Sequence, residues 1–169
     1  MAKFGDFCKI ASSYADVADF VTVYIEEAHA ADGWAFNNNV SINAHRKRED
    51  RIEAAKMLLA QKPSFPIVCD DMDEAANFAY GGLFERLYVI HRDTIAYAGG
   101  RGPLLYCVDE VEEWLGKYKQ HLSAMEAGEV KDDGGHFKVD IPDKSQNIDH
   151  LSGSAKWWAK FAVACSYKS

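Results

Sequence analysis

The chain has 169 residues, 48% of them hydrophobic, and a formal net charge of −7, which suits one domain with a substantial core. No sustained basic face is present, so nucleic acid, whose binding rests on neutralising phosphates, is excluded as a partner. No apolar run reaches the roughly 18 residues of a membrane span and no secretory leader opens the sequence, so the chain as given reads as soluble. Its four cysteines, Cys8, Cys69, Cys107 and Cys165, form no Cys-x-x-Cys pair and read as reduced, partly buried thiols.

Taken in order, Met1 to Asp19 carries Phe4, Phe7, Cys8, Ala11, Tyr14 and Ala18 at helical spacing and is predicted as a helix, although it starts without a capping residue. Phe20 to Glu26 is rich in β-branched and aromatic residues and reads as a core strand. It runs into Glu27, His29, Asp32 and Trp34, a knot of ionisable and aromatic side chains at a strand's carboxyl end, where open α/β sheets bind ligands. Alternation along an extended chain puts Ile25, Glu27 and His29 on one side and Tyr24 and Glu26 on the other. Glu27 is therefore expected to hydrogen-bond the His29 imidazole, and Tyr24 to face away from Glu27.

A long loop follows from Ala28 to about Ala44, of a length more often functional than idle. The run His45-Arg46-Lys47-Arg48-Glu49-Asp50-Arg51 leads into a second helix with Ile52, Ala55, Leu58 and Leu59 apolar, and its basic cluster reads as a solvated face. Pro66 to Cys69 reads as a short buried strand, and Asp73 to Tyr80 as a short helix stopped by Gly81-Gly82. Leu87 to His91 and Thr94 to Ala98 form a predicted hairpin about Arg92-Asp93, followed by the loop Gly99-Gly100-Arg101-Gly102-Pro103. The last helix carries Val111, Trp114, Leu115, Tyr118, Leu122 and Met125 on its buried stripe, with Asp109 and Glu112 resembling a capping box.

Alternating helices and strands closed by a hairpin and a helix give an α/β fold in the thioredoxin arrangement, lacking its first strand. Residues 1–127 are assigned to this domain, incomplete at its amino terminus, and 128–169 to a disordered or loosely docked tail. That tail is polar and turn-rich apart from a short apolar patch at Lys156 to Val163.

The string Tyr24-Ile25-Glu26-Glu27-Ala28-His29-Ala30-Ala31-Asp32-Gly33-Trp34 resembles the signature of the iodothyronine deiodinases. So do His45-Arg46, Glu49-Asp50-Arg51, Phe84 to Ile90, Gly99 to Pro103 and Trp114-Leu115, in the same order and at nearly the same spacings over about Met1 to Tyr118. The resemblance implies a thioredoxin-like selenoenzyme that removes iodine reductively from thyroid hormones, with a thiol reductant as co-substrate and no bound cofactor. It implies a homodimer anchored in a membrane by an amino-terminal segment, and a selenocysteine nucleophile lying ahead of the residues matched by Met1-Ala2-Lys3.

On that reading the chain begins just past its own nucleophile and is inactive alone. A UGA codon read as stop, with a downstream methionine taken as the start, is the expected cause. Carried over by position, His29 contacts the phenolic end of the substrate and Arg101 holds its amino-acid end. Glu27 orients His29, and His45 and Tyr24 complete a proton relay.

Glu27, His29, Asp32 and His45 are also metal-ligand types, but no metal-binding spacing connects them, and no metal is expected. Two other readings stand beside the enzyme. One is a peroxiredoxin- or thioredoxin-like thiol oxidoreductase using Cys8 or Cys69. The other is a non-catalytic fragment that binds the hormone or modulates a dimer. Ring preference, reductant and resolving thiol are not encoded legibly.

Overall fold

A computed structural model describes residues 2–35, 40–83, 85–131, 137 and 139, and the backbone of 161–167. Its elements are α1 (Ala2–Ser13), β1 (Ala18–Tyr24), α2 (Arg48–Leu59), β2 (Ile67–Cys69), α3 (Ala75–Tyr80), β3 (Arg86–His91), β4 (Thr94–Ala98), α4 (Val108–Glu126) and β5 (Phe161–Tyr167). They build a mixed α/β fold on one sheet of order β2-β1-β5-β3-β4.

Alternation along β1 is clear: Ala18, Phe20, Thr22 and Tyr24 are buried, while Asp19, Val21 and Val23 are more open. Helix α1 covers the buried row, with Phe7 edge-on to Phe20 at 5.6 Å and to Phe65 at 5.2 Å. Beside it α4 adds Val111, Trp114, Leu115 and Tyr118 to the same core, Trp114 stacking on Tyr118 at 5.1 Å. Burying each such side chain contributes roughly 1.5–3 kcal/mol.

Several boundaries differ from those read in the sequence. The first helix stops at Ser13, and a turn in which Val17 and Ala18 donate to the Tyr14 carbonyl starts β1 earlier, at Ala18. Helix α4 begins at Val108 with Cys107 as its cap and no side-chain cap bond, so Asp109 lies in the first turn instead of heading a capping box. The hairpin forms where expected, without glycine: Arg92 and Asp93 both take positive φ (45° and 63°), as a primed turn requires.

The described parts of the tail dock on the domain. Phe137 packs against Trp114, Tyr118 and His121 at 5.6, 5.2 and 4.7 Å. Strand β5 joins the sheet between β1, to which it is antiparallel, and β3, to which it is parallel. The run Phe161-Ala162-Val163-Ala164-Cys165-Ser166-Tyr167 has the small, apolar composition of a strand covered on both faces. Its expectation as loose tail rested on the polar stretches before it. Residues 140–160, including most of the apolar patch at Lys156 to Val163, lie outside the described residues.

Register fixes what lies at each end of the sheet. Tyr24 pairs with Phe161, Arg86 with Ala162, and Ala98 with Tyr88. The exit of β1, the start of β3 and the exit of β4 therefore share one end. Two strand spacings, about 10 Å, separate β1 from β3 there.

Candidate active site

Strand β1 ends at Tyr24, and Tyr24 and Ile25 are both fully buried, so alternation stops before Glu27. With the chain no longer extended, the Tyr24 hydroxyl turns back and donates to Glu27 Oε2 at 3.2 Å. This overturns the expectation that Tyr24 faces away from Glu27. Burial and the adjacent carboxylate push the Tyr24 phenol far above its ordinary range, so it holds its proton and acts as a donor.

The other oxygen of Glu27 accepts the backbone N–H of His29 at 3.4 Å. The expected bond from Glu27 to the imidazole is thus replaced by one to the main chain. The imidazole Nδ1 lies instead 3.2 Å from the Trp34 carbonyl, and the indole of Trp34 stands edge-on to the ring at 5.3 Å. If Nδ1 carries the proton it donates to that carbonyl, which leaves Nε2 as the acceptor on the other side of the ring. Trp34 is itself 75% exposed, an aromatic surface next to the histidine.

The long loop is pinned at its base. Ala31 donates to the Ile42 carbonyl at 2.7 Å, and Asp32 Oδ1 accepts the Ala44 N–H at 2.7 Å, with Arg46 3.8 Å from its other oxygen. Asp32 is therefore committed to holding the loop. His45 is brought to Tyr24, with ring centroids 5.7 Å apart, and sits in the wall of a groove of about 620 Å³ between the loop and α2. Among the described residues neither ring nitrogen of His45 has a hydrogen-bond partner. Burial, then the positive charge of Arg51, hold its pKa below the ordinary histidine value, while Asp50 and Glu74 oppose that shift.

Arg51 is the buried charge beside this site that the sequence reading placed on a solvated face. The basic cluster is a solvated face at Arg46, Lys47 and Arg48, but Arg51 is only 1% exposed. The signal was present: Arg51 falls three, four and seven residues before Ala54, Ala55 and Leu58, on the buried stripe of α2. Its Nη1 donates to the carbonyls of Asp70 (3.2 Å) and Asp71 (2.7 Å), and its Nη2 pairs with the Glu74 carboxylate. Asp70 in turn accepts the N–H groups of Ala76 and Asn77, at 3.0 and 2.8 Å, at the start of α3.

Arg101 lies on the loop after β4, at the same end of the sheet as Tyr24 and on an exposed stretch. That loop is folded onto the start of β3: Gly99 donates to the Leu87 carbonyl at 2.8 Å, and Gly102 to the Glu85 carbonyl at 2.8 Å. The Arg101 guanidinium approaches the turn at Gly81, beside that of Arg86, which lies over the Tyr88 ring at 5.2 Å. His29 and Arg101 thus stand at one end of the sheet, on the segments leaving β1 and β4.

Burial raises the pKa of Cys8, Cys69 and Cys107, the opposite of what an activated thiol needs. This weighs against Cys8 or Cys69 as the nucleophile of a thiol oxidoreductase.

The iodothyronine deiodinase family model matches residues 1–119. The chain belongs to that family. It is 45% identical over 123 residues to a thyroxine 5-deiodinase of Sparus aurata, a match covering 72% of this chain and 46% of that protein. The corresponding protein of Gallus gallus is 43% identical over 125 residues (73% and 48%), and that of Bos taurus 44% over 123 residues (72% and 41%). The chain thus spans less than half the length of these curated relatives. The matched span covers Tyr24, Glu27, His29, His45 and Arg101, and ends before β5.

Proposed function

We propose that this chain is the substrate-handling part of an iodothyronine deiodinase, acting in the reductive removal of iodine from thyroxine or a related iodothyronine. In such a reaction the aryl carbon–iodine bond is exchanged for carbon–hydrogen, iodide leaves, and two electrons come from a thiol reductant that ends as a disulfide. His29, steadied through Nδ1 by the Trp34 carbonyl, meets the phenolic end, with the exposed Trp34 face beside it. Arg101 takes the carboxylate of the amino-acid end with its planar fork. Tyr24, Glu27 and His45 form the polar backing from which a proton is delivered.

A selenocysteine, expected ahead of Met1, would supply the soft nucleophile that accepts iodine. The raised pKa of the three described cysteines is consistent with a nucleophile other than these thiols. A thioredoxin-like arrangement is supported by the parallel β1–β2 pair and by the β3–β4 hairpin leading to α4. Homodimer formation and membrane anchoring through a preceding segment belong to the same proposal. No helix among the described residues is long and apolar enough to cross a membrane.

The observation that carries this reading is the arrival of the His29 and Arg101 segments at one end of the sheet, within the span matched by the family. The test is titration of the purified chain with thyroxine, read by quenching of tryptophan fluorescence, together with iodide release from labelled hormone. Saturable quenching that is lost in His29→Ala and in Arg101→Ala, with no iodide released, is the expected result. Binding undiminished in both variants would overturn the assignment of the two ends. Iodide release by the chain alone would overturn the need for a selenocysteine.

A further inference from the structure

A fully buried guanidinium is an expensive way to hold two elements together, because desolvating the charge costs several kcal/mol that the ion pair only partly returns. An apolar side chain at the same place on α2 would serve packing as well or better. Arg51 nevertheless occupies the buried stripe of α2, 1% exposed, and its Nε has no partner among the described residues. What it touches explains why a charge is there.

One chain of contacts runs from Arg51 to the end of β1. The Asp70 N–H donates to the Tyr24 carbonyl at 2.9 Å, and the Asp70 carbonyl accepts from Arg51 Nη1. The Asp70 peptide is thus clamped between Arg51 and the residue from which the Glu27–His29 segment departs. A second chain runs through Glu74. It sits in the left-handed region (φ 59°) at the cap of α3, with one oxygen on Arg51 and the other accepting the Asn77 side-chain amide at 3.2 Å. Removing Arg51 would release the turn between β2 and α3 and strip the neutralising partner from Glu74.

We propose that Arg51 is a positioning residue of this site, fixing the end of β1 through the Asp70 peptide and placing a permanent positive charge beside Tyr24 and His45. As far as the site is a hormone site, this rests on the function proposed above; the placement of the charge does not. The charged and titratable groups bearing on His45 are Arg51 and Asp50 of α2, Glu74 at the head of α3 and the Tyr24 phenol of β1. Arg51 disfavours a second positive charge on the imidazole, and Glu74 favours one. The pair is close to neutral as seen from a distance but not as seen from His45, because guanidinium and carboxylate act on it with opposite signs. An uncharged His45 can accept or pass a proton, whereas an imidazolium can only donate.

The experiment is NMR titration of the His45 ring nitrogens in the folded chain, wild type against Arg51→Lys, Arg51→Met and Glu74→Gln. A charge role predicts an upward shift of the His45 midpoint in Arg51→Met and a midpoint close to wild type in Arg51→Lys, which keeps the charge and loses the fork. Glu74→Gln, which leaves Arg51 opposed only by Asp50, shifts the midpoint down. A purely structural role predicts that Arg51→Lys and Arg51→Met behave alike and that Glu74→Gln leaves the midpoint where it was; that result overturns the proposal. If Arg51→Met does not fold, Glu74→Gln and Arg51→Lys decide between the two. Thyroxine titration of the wild-type chain is run in parallel. Absence of hormone binding with the His45 shifts intact would remove the functional reading and leave the role of Arg51 standing.

Discussion

The end of β1 and the loop after β4 lie at the same end of the sheet, yet they present their side chains by opposite means. At the end of β1 three polar side chains are each tied to a neighbour, Tyr24 on Glu27, Glu27 on the His29 main chain and the His29 ring on the Trp34 carbonyl, with Arg51 behind them. In the loop the backbone is fixed instead, through Gly99 bonded to β3 and Gly102 to Glu85 just before it, and the arginine it carries stays exposed. A proton-handling group needs a defined neighbour to set its tautomer and proton affinity. A group that grips a carboxylate needs only to be aimed, since a guanidinium keeps its charge in any surroundings.

The sharpest way to break this contrast is to delete the exposed arm. Arg101→Ala should leave stability within about 0.5 kcal/mol, as for a surface substitution. On the function proposed above, it should weaken thyroxine binding by roughly 1.5–3 kcal/mol, the range for a charge-assisted hydrogen bond, or about tenfold to more than a hundredfold. Arg101→Lys should recover little of that, because an ammonium cannot offer the two parallel donors. Paired denaturation and binding curves check both halves; a large loss of stability in Arg101→Ala would mean that the loop depends on its side chain after all.

The complementary change attacks the loop's frame. A Cβ added at Gly100 would fall well inside 3.0 Å of the Leu105 side chain. Gly100→Ala should therefore cost about 1–3 kcal/mol in denaturant unfolding, the usual range for overpacking. At Gly33 the nearest atom to an added Cβ is the Ala30 carbonyl oxygen at 3.7 Å, ordinary contact, so Gly33→Ala serves as the control on the His29 side.

On the β1 side the expected effect is smaller. Tyr24→Phe keeps the buried ring and removes only the hydroxyl that Glu27 accepts, which should cost about 0.5–1.5 kcal/mol. If the variant is as stable as wild type by urea denaturation, the Tyr24–Glu27 bond contributes nothing to holding the segment, and the contrast between the two regions weakens.

The two regions also differed in how legible they were from the sequence. The strands and helices around both were visible because their apolar periodicity is strong, and the glycine loop announced itself. At the end of β1 the residues were found but their contacts were misassigned, because two-residue alternation was extended beyond Tyr24, where the strand stops. Arg51 was hidden by its neighbours: three exposed basic residues precede it, and only its phase on the α2 stripe distinguished it. Strand β5 was obscured for a different reason, since a seven-residue apolar run gains meaning only from the gap between β1 and β3 that it fills. No local pattern encodes that gap.

The smallest effect tests the buried side of the comparison through pH alone. His45 has a folded pKa below its ordinary value, about 6.5 in an unfolded chain. As pH falls, the unfolded chain therefore takes up this proton before the folded one does. The stability associated with neutral His45 is complete above about pH 6.5. It declines as pH drops from there towards the depressed folded value, and changes no further below it. His45→Gln removes this dependence while leaving other titrating groups in place, so the difference in unfolding free energy between wild type and variant should rise with pH across that window. Urea denaturation at several pH values between about 4 and 8 reads it directly. A difference that stays flat would mean that the His45 ring is as well solvated as in the unfolded chain, and a falling difference would mean that Asp50 and Glu74 outweigh burial and Arg51. In either case the β1 end would not be the dry, charge-tuned partner of the exposed arginine that its geometry makes it.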